Sequence, residues 1–444
     1  MKKQNNSTQA DMSQVQFVHL EFVDIEGSAK SVTIPIQELE ATQRDGRWFD
    51  GGSIGGFARA SEQDMYLEPD MNTFLVYPWE PQRAKVICDV AQPDGAPFAG
   101  SPRGQLKKSA AFAETLGYTF QTAPEIEFFL LHGSDLQSEQ LQPIDKSSYF
   151  DAFGEASSAF WRDVMDSFAA LNIPIESCHH EAASGQFEVD LALQNALASA
   201  DAVMTAKQTI KILAQRYGAR ATFMPKPFSG VNGSGMHVHQ RLAKLNGGAN
   251  AFAQENGTDG AEYGLSDIGL QYIAGQIAHA QGMSAVLAPL VNSYKRFVPN
   301  HEAPVEINWG HHNQEAMIRV PKVHSQRIND VRIEIRSPDS SCNPYLAYCA
   351  LLRSGLDGVT RKLDPPPPRA VGTPKAAASS RMEYYRYILP QSLSEALTAL
   401  ERDELMTEAL GPLILNEFLD AKWREWNAYR LEVSQWELQR YLDN

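Results

Sequence analysis

The sequence predicts an α+β protein in which a small β-rich N-terminal part precedes a larger part of mixed helices and strands. Short apolar and β-branched segments occupy the first hundred residues, at 15–23, 30–36, 73–77 and 84–90. After Pro102, segments with helical spacing alternate with strand-like ones, and the last hundred residues are mostly helical. The 444 residues are enough for two or more packed layers, in one large domain or two unequal ones.

Individual elements follow from the spacing of apolar residues. Residues 105–116 and 202–217 carry apolar side chains at helical intervals and are predicted helices. A Gly-rich stretch at 50–56 is expected to be a loop within the β-rich part. Strand-like segments with alternating character are found at 125–130, 186–191, 236–240 and 331–336. These four segments also carry most of the ionisable residues of interest.

Composition excludes several classes of protein. The net charge of −15 argues against a dedicated nucleic-acid or anionic-membrane binder, although a local basic pocket is still compatible with it. The 43% of apolar residues and 21% of charged ones are typical of a globular chain. The polar N-terminus and short apolar stretches predict no signal peptide, no membrane span and a cytoplasmic location. The four cysteines are too few and too scattered for a disulfide framework, and no CxxC pair suggests thiolate zinc.

Segment 331–336 alternates charged and apolar residues. In a strand, Arg332, Glu334 and Arg336 would share one face, because successive side chains point to opposite sides. Two arginines beside a carboxylate suit an anionic ligand with a metal between them. The alternative is a solvated strand face with ion pairs between neighbouring strands.

Segment 125–130 places two carboxylates on one strand face. Glu125 and Glu127 are separated by one residue, and 128–130 is an apolar anchor. Like charges this close raise the free energy of the fold unless a cation lies among them.

Two more segments add carboxylates and imidazoles. His179–Glu181 is followed by 186–188, and the Gly-rich stretch 230–235 leads to His237 and His239 on one strand face. Taken singly, each could be a surface group or a satisfied polar pair. Together they suit Mg²⁺ or Mn²⁺ and favour a two-metal site for phosphoryl transfer. Neither a P-loop nor a GxGxxG turn occurs, so ATP would be held differently.

These segments, with several others, resemble the type I glutamine synthetases, and closely the shorter class that lacks a central insertion. The resemblance covers nearly the whole chain in the order of the family. The matching segments are 49–54, 124–129, 179–181 with 185–186, 224–227, 232–237, 292–296, 302–304, 332–336 and 343–346.

The resemblance implies an α+β architecture. Residues 1–101 would form a β-grasp-like domain, and 102–444 a catalytic domain with a curved antiparallel sheet flanked by helices. Homo-oligomers in the family are usually dodecamers of two stacked hexamers, with Asp50 and Ser53 reaching the active site of the neighbouring subunit. Segment 423–441 resembles the helical extension that docks on the facing ring, its alternative being an ordinary core helix.

The implied reaction is the ATP-dependent ligation of ammonia to the γ-carboxylate of L-glutamate. It passes through γ-glutamyl phosphate and yields glutamine, ADP and phosphate, with two or more Mg²⁺ or Mn²⁺ ions per site. The first metal would be bound by Glu127, Glu181 and Glu188. The second would be bound by Glu125, His237 and Glu334.

The resemblance also assigns the remaining site residues. Asp50 would be the base that deprotonates ammonium, Arg319 would act on the transferring phosphoryl group, and Glu302 would close the pocket and take the second proton. The ammonium pocket would contain Asp50, Ser53, Tyr149, Glu181 and Glu302. Glutamate would be held by Asn232, Gly233, Arg296, Glu302 and Arg336, and ATP by Glu176, His239, Arg319 and Arg332.

The chain departs from the family pattern at a few positions. Gln314 stands where the family usually has an arginine, and the unusual 310–312 next to it offers histidines that could compensate. Gly52 and Arg241 each replace a serine, and Arg59 stands where short-class relatives sense glutamine. Two alternatives therefore stay open: a γ-glutamyl ligase for a larger amine (polyamine, ethanolamine or methylamine), and a weakly catalytic regulatory paralogue.

Overall fold

A computed structural model describes residues 12–54, 64–132, 142–254, 262–299, 301–324, 327–370 and 387–444. These residues form two β-sheets and eleven α-helices. Arg59 and the end of the predicted loop at 55–56 lie outside them. No helix in this described part is long and apolar enough to cross a membrane.

The first sheet is built from the N-terminal part in the order β2-β1-β6-β4-β3, with β5 beside β6. Strands β1 and β6 are parallel, and the other pairs are antiparallel. The short helix α1 (Leu39–Asp45) lies between β2 and β3 in the chain. The strands are β1 (Phe17–Val23), β2 (Ala29–Pro35), β3 (Arg47–Asp50), β4 (Asp64–Pro69), β5 (Leu75–Val76) and β6 (Arg83–Ala91).

Alternation along β1 builds the core of this first sheet. Val18, Leu20 and Phe22 are buried and pack with Val86 and Cys88 of β6. The predicted strands at 15–23, 30–36 and 84–90 are therefore confirmed to within two residues.

The predicted strand at 73–77 is wrong over its first half. Asp70 accepts a hydrogen bond from the amide of Asn72 and begins a 3₁₀ turn over Met71–Thr73. Only Leu75–Val76 is extended, because Thr73 belongs to the 3₁₀ turn and not to the strand.

The second sheet belongs to the larger part and has the order β14-β15-β16-β13-β7-β10-β9, with β8, β11 and β12 also paired to β7. It is mixed instead of antiparallel throughout, because β14 and β15 run parallel. Its strands are β7 (Tyr118–His132), β8 (Gln142–Pro143), β9 (Ile175–His180), β10 (Gln186–Leu191), β11 (Gln194–Asn195), β12 (Ala219–Thr222), β13 (Met236–Lys244), β14 (Trp309–His311), β15 (Ile318–Val320) and β16 (Ile333–Ile335).

Helices cover this second sheet. Helix α2 begins where the Ser101 hydroxyl accepts a hydrogen bond from Gly104, and α7 begins where Asn343 accepts from Tyr345. The helices are α2 (Pro102–Thr115), α3 (Glu155–Ala170), α4 (Ala196–Arg216), α5 (Asp267–Ala278), α6 (Ala280–Leu287), α7 (Pro344–Arg361), α8 (Leu393–Arg402), α9 (Glu404–Leu410), α10 (Pro412–Tyr429) and α11 (Gln435–Tyr441). The expected boundary between residues 101 and 102 stays a prediction.

The C-terminal segment 423–441 is two helices instead of one. Helix α10 ends at Tyr429, and Ser434 with Glu437 forms a capping box that starts α11. None of the residues of α11 is buried, and 62% of Trp436 is exposed. The core-helix interpretation is therefore wrong for α11, while docking on a facing ring stays a prediction.

One buried arginine links the first sheet to the helices of the larger part. The guanidinium of Arg103 lies 2.8 Å from both Asp70 and Asp89, which belong to the N-terminal part, and 2.9 Å from Asp201 of α4. The hydroxyl of Tyr345 donates to Asp201 at 2.6 Å. Arg103 thus balances three carboxylates where the two parts of the chain meet.

We expect Arg103→Met to lower the free energy of unfolding by about 3–5 kcal/mol, because it leaves the partly buried carboxylates of Asp70 and Asp201 without their cation. Chemical denaturation followed by circular dichroism would measure the loss. The control is Arg44→Ala, whose fully exposed ion pair with Asp45 should contribute little to stability because water screens it. Equal losses in the two variants would contradict this role of Arg103.

Candidate functional site

A cavity of about 200 Å³ lies on the second sheet and is crowded with acidic side chains. Two arginines, two histidines, a tyrosine and a glutamine complete its lining. The carboxylates are Glu125, Glu127, Glu181, Glu188, Asp190, Glu302 and Glu334, and the other residues are Tyr149, His179, His237, Gln314, Arg319 and Arg336.

Strand register assembles this cavity. Residues directly opposite each other on adjacent strands project to the same face of a sheet. Glu125 of β7 is opposite His237 of β13, and Glu127 is opposite Glu188 of β10. Glu334 of β16 is opposite His239. The period-2 argument for Glu125 and Glu127 is thereby confirmed, since both line the cavity.

Glu125, His237 and Glu334 form the first group of possible metal ligands. Their donor atoms all lie within 4.8 Å of one another. Nδ1 of His237 is 3.0 Å from Glu125 and 3.7 Å from Glu334. This is the trio that the resemblance assigns to the second metal.

A second group contains Glu127, Glu188 and His237, again with donor atoms within 4.8 Å. The resemblance gives Glu181 in place of His237 for the first metal. Glu181 lines the same cavity, and its carboxylate accepts a hydrogen bond from the amide of Ala182 at 3.1 Å. Nε2 of His237 is 3.6 Å from Glu127, so this imidazole lies between the two groups.

A third group, His179 with Glu188 and Asp190, was missed as a set of site residues. Nε2 of His179 lies 3.1 Å from Glu188. Asp190 follows Glu188 by two residues on β10 and is opposite Glu125. The same i, i+2 alternation that identified Glu125 and Glu127 could have indicated Asp190.

Burial and mutual repulsion shift the pKa values of these carboxyl groups. Burial, together with Glu127, raises the pKa of Glu181 to about 8. Burial and Glu125 raise the pKa of Glu188 well above its ordinary value. Burial works in the same direction at Glu125, but the imidazoles of His239 and His237 outweigh it and hold that pKa well below normal. Without a bound cation, the ionised forms of Glu181 and Glu188 are thus disfavoured.

The chemistry of the donor set fits a hard divalent cation. The possible ligands are carboxylate oxygens and imidazole nitrogens, and none of the described residues lining the cavity is a cysteine. A divalent ion here would lower the repulsion that raises the pKa values of Glu181 and Glu188.

Glu334 is fully buried between two arginines. Nε of Arg319 and Nη1 of Arg336 each lie 2.6 Å from one of its oxygens. Burial alone would raise the pKa of Glu334, but Arg336, His239 and Arg319 together lower it below its ordinary value. The strand that presents this residue is shorter than predicted, Ile333–Ile335 instead of 331–336.

The Gly-rich segment before β13 is hydrogen-bonded to residues that line or adjoin the cavity. The carbonyl of Gly233 and the carboxylate of Glu127 both accept hydrogen bonds from the Gln186 amide, at 3.1 and 3.0 Å. Asn232 donates to Glu302 at 3.0 Å. Glu302 has a left-handed backbone with φ of 53°, which is strained for a residue with a side chain.

Arg296 lies beneath this segment. It is buried and donates to the carbonyls of Ser337 and Arg336 at 3.3 and 3.0 Å, and its Nη2 lies 3.2 Å from Nε2 of His237. The guanidinium is therefore engaged mainly by the protein itself. Its predicted contact with glutamate stays a prediction.

Most of the predicted ATP residues lie outside the described lining of the cavity. Nε2 of His239 is 2.6 Å from Glu125, which joins it to the first metal-ligand group. Arg332 lies 3.6 Å from Glu176, and both are at least partly exposed. Among the described lining residues, only Arg319 of the predicted ATP set is present.

Two predicted ammonium residues lie in the other part of the chain. Asp50 ends β3 of the first sheet and accepts a hydrogen bond from the amide of Gly52 at 3.0 Å. Ser53 follows in the next turn, and its side chain lies outside the description. Neither is among the lining residues of the cavity in the same chain. Tyr149 does line it, and burial with Glu181 raises the pKa of its phenol.

Gln314 lines the cavity, whereas His311 and His312 are not among its described lining residues. The ring of His311 stacks on Tyr263 at 4.2 Å with an interplanar angle of 15°. Burial lowers the pKa of His311, so the imidazole is favoured in its neutral form. The structure therefore does not support compensation by His311 for an arginine at position 314.

Comparison with known proteins gives a consistent result along the whole chain. A family model described as "Glutamine synthetase, catalytic domain" matches residues 99–441, and one described as "Glutamine synthetase, beta-Grasp domain" matches 14–93, in agreement with the predicted fold class. The chain is 43% identical to a glutamine synthetase of Clostridium saccharobutylicum, over 97% of this chain and 96% of that protein. It is also 43% identical to one of Thermus thermophilus, over 96% of both. A solved structure described as "GmaS/ADP complex-Conformation 1" is 30% identical with a TM-score of 0.85, covering 98% of this chain and 99% of that one.

We expect Gly235→Ala to disrupt the site while the protein stays folded. An added Cβ would lie 2.5 Å from Nη2 of Arg296, 2.8 Å from Nε2 of His237 and 3.0 Å from Oε1 of Glu127. Displacing these groups should weaken Mn²⁺ binding by about tenfold or more, measured by isothermal titration calorimetry. Gly154→Ala is the control, because its Cβ would meet nothing within 4 Å. Unchanged Mn²⁺ affinity in Gly235→Ala would show that this close packing is not needed.

Proposed function

The chain belongs to the glutamine synthetase family, and from that membership we propose which of its residues carry the reaction. It is an ATP-dependent ligase that joins ammonia to the γ-carboxylate of L-glutamate. The assignment of residues rests on one observation. Strand register gathers Glu125, Glu127, Glu188, His237 and Glu334 around a single cavity.

The need for ATP follows from the chemistry of the acceptor carboxylate. Ammonia cannot displace oxide from a carboxylate, because oxide is too poor a leaving group. Transfer of the γ-phosphoryl group of ATP to glutamate gives γ-glutamyl phosphate and ADP. Ammonia then attacks the acyl carbon, and phosphate departs to leave glutamine.

Two sets of ligands would hold divalent cations. Glu125, His237 and Glu334 would bind one ion. Glu127, Glu181 and Glu188 would bind another, close to the shared imidazole. When bound, such ions offset charge on the transferring phosphoryl group. Oxygen donors with an imidazole suit Mg²⁺ or Mn²⁺, and both are included in the proposal.

The arginines would act on the phosphoryl group and on glutamate. Arg336 donates a hydrogen bond to the buried Glu334, which orients its guanidinium before substrate arrives, and Arg319 forms an ion pair with the same carboxylate. Arg319 would stabilise the transferring phosphoryl group. Glutamate would be bound by Arg336 with Asn232, Gly233, Arg296 and Glu302, and ATP by Glu176, His239, Arg319 and Arg332.

Ammonium would enter an acidic pocket formed by two subunits. Tyr149, Glu181 and Glu302 would come from one chain, and Asp50 with Ser53 from its neighbour. Asp50 would remove the first proton, and Glu302 would take the second while excluding water. The strained backbone of Glu302 and its contact with Asn232 support a defined position for this carboxylate. A dodecamer of two stacked hexamers and a cytoplasmic location are part of the same proposal.

One observation favours a second candidate function, a γ-glutamyl ligase for a larger amine. Gln314 lines the cavity where the family usually has an arginine. The substitution removes a bulky cation from an acidic pocket, which leaves room and negative potential for an organic ammonium group.

Phosphate release by the purified protein tests the acceptor. ATP, L-glutamate and Mg²⁺ or Mn²⁺ would be combined with ammonium, methylamine, ethanolamine or a polyamine. We expect ammonium to give the highest kcat/KM. A larger kcat/KM for an organic amine would establish the second function. No release with any amine, by protein that still binds ATP, would support the regulatory paralogue.

A Gln314→Arg variant separates the two functions further. If ammonium is the natural acceptor, the added arginine should leave the preference for ammonium in place. If a larger amine is natural, the arginine should lower kcat/KM for that amine at least about tenfold relative to ammonium, because it adds bulk and positive charge to the cavity that Tyr149, Glu181 and Glu302 also line. The ratio of the two kcat/KM values is the measurement.

Hybrid oligomers test the contribution of Asp50 from a neighbouring subunit. Asp50→Asn and Glu127→Gln should each lose activity by about a hundredfold or more. Co-expression with two affinity tags and tandem purification would give mixed oligomers. Roughly a quarter of the wild-type activity should return, because sites with both residues intact form at subunit interfaces.

The control is a chain that carries both substitutions. Mixed with itself, this double variant cannot form an intact site and should stay inactive. If the hybrids of the two single variants are as inactive as this double variant, the site is not shared between subunits.

A further inference from the structure

Segment 337–340, which follows β16, lies directly under the candidate site. The carbonyls of Ser337 and Pro338 accept hydrogen bonds from Arg296, both at 3.3 Å. The carbonyl of Pro338 also accepts from the amide of Met236, the first residue of β13, at 3.0 Å. The segment therefore holds both Arg296 and the first residue of β13 in place.

Ser340 connects this segment to two functional strands. Its hydroxyl is fully buried and lies 2.9 Å from the carbonyl of Glu127 and 2.8 Å from that of Gly235. The amide of Glu127 in turn donates to the carbonyl of Gly235 at 3.2 Å. Ser340 thus joins β7 to the Gly-rich segment at the residue that bears a proposed metal ligand.

Lys207 of α4 forms a hydrogen bond with the backbone of Ser340. Its Nζ donates to the carbonyl of Ser340 at 2.6 Å and lies 5.4 Å from the ring centre of Phe223. Burial lowers the pKa of this ammonium group to about 8. No step of the proposed reaction uses Lys207.

We propose that Lys207 is a positioning residue of the active site, acting through Ser340 on the backbone of Glu127 and Gly235. The proposal rests on the metal site assigned above. The charged donor anchors the Ser340 carbonyl, and this anchor keeps the Ser340 hydroxyl between the two strands. Groups that orient metal ligands in this indirect way typically change metal affinity when they are removed.

Lys211 provides a matched comparison on the same helix. It lies one turn further along α4, and its Nζ is 5.5 Å from the centre of the same Phe223 ring. Lys211 is exposed, and within the described part of the chain it makes no hydrogen bond like that of Lys207. If Lys207 served only to cover Phe223, loss of either lysine should have similar effects.

The test compares Lys207→Met, Lys207→Arg, Lys211→Met and Ser340→Ala in the full-length oligomer. Mn²⁺ affinity would be measured by isothermal titration calorimetry without substrates, and kcat and KM for glutamate separately. We expect Lys207→Met and Ser340→Ala to weaken Mn²⁺ binding by about ten- to a hundredfold. Lys207→Arg should recover most of the affinity, since arginine keeps a charged donor, and Lys211→Met should match the wild type.

A double variant distinguishes positioning from general destabilisation. If Lys207 acts through Ser340, the double Lys207→Met and Ser340→Ala variant should bind Mn²⁺ about as weakly as the weaker single variant. Additive losses, or equal losses in Lys207→Met and Lys211→Met, would overturn the proposal. So would wild-type Mn²⁺ affinity in folded Lys207→Met. If Lys207→Met fails to fold, the Mn²⁺ affinities of Ser340→Ala and Lys207→Arg test the proposal instead. Unchanged Mn²⁺ affinity in Ser340→Ala also overturns the proposal.

The outcome for wild-type protein separates this inference from the proposed function. Wild-type protein that does not bind Mn²⁺ would refute the metal site itself. Wild-type binding with unaffected Lys207 and Ser340 variants would refute the positioning role alone.

Discussion

Electrostatic repulsion among the carboxylates of one small cavity is the constraint on which this structure depends. Seven of them share about 200 Å³. Two unit charges 4 Å apart repel by ~1 kcal/mol in water and by ~4 kcal/mol at the effective dielectric of a protein site. Burial, together with the neighbouring carboxylates, raises the pKa values of Glu181 and Glu188. A site that gathers this many carboxyl groups is suited to cations, whether metal ions or an ammonium substrate.

The second sheet holds these charges together because its register leaves them little freedom to separate. Glu127 and Glu188 are opposite each other on β7 and β10, where like charges are unfavourable without a partner. Each strand is continuous with a buried apolar core that includes Phe128 and Val189. The free energy of that core stabilises an arrangement that the charges oppose. Rigid placement of this kind reduces the reorganisation needed when charge develops during phosphoryl transfer.

Hydrogen bonds to segment 337–340 hold the site in addition to the strand register. Arg296 and Lys207 both donate to carbonyls of segment 337–340, from different directions. Glu334 forms ion pairs with Arg319 and Arg336, and all three residues line the cavity. The first sheet contributes none of the described lining residues, and Arg103 ties it to α4 through Asp201. The described lining of the cavity therefore comes from the larger part of one chain, and Asp50 lies outside that lining.

The sequence alone determined the parts of the site that depend on local pattern. Alternation along a strand put Glu125 with Glu127, and the Gly-rich stretch before His237 indicated close backbone approach. Carboxylates with imidazoles and few thiols indicated hard cations, and the ordered motifs identified the family. The same local signals could not tell that segment 73–77 begins in a turn or that 423–441 breaks at Ser434, because capping by Asp70 and Ser434 competes with extended and helical continuation.

Tertiary structure decided every relation between distant strands. Glu334 faces His239, and Asp190 faces Glu125, only because hydrogen bonds between strands set one register out of many. Contacts between distant segments also place His179 in the cavity and bury Arg296. Side-chain alternation predicts which residues share one face of a strand. Which faces meet, and at what offset, is fixed by packing between segments that are far apart in the chain.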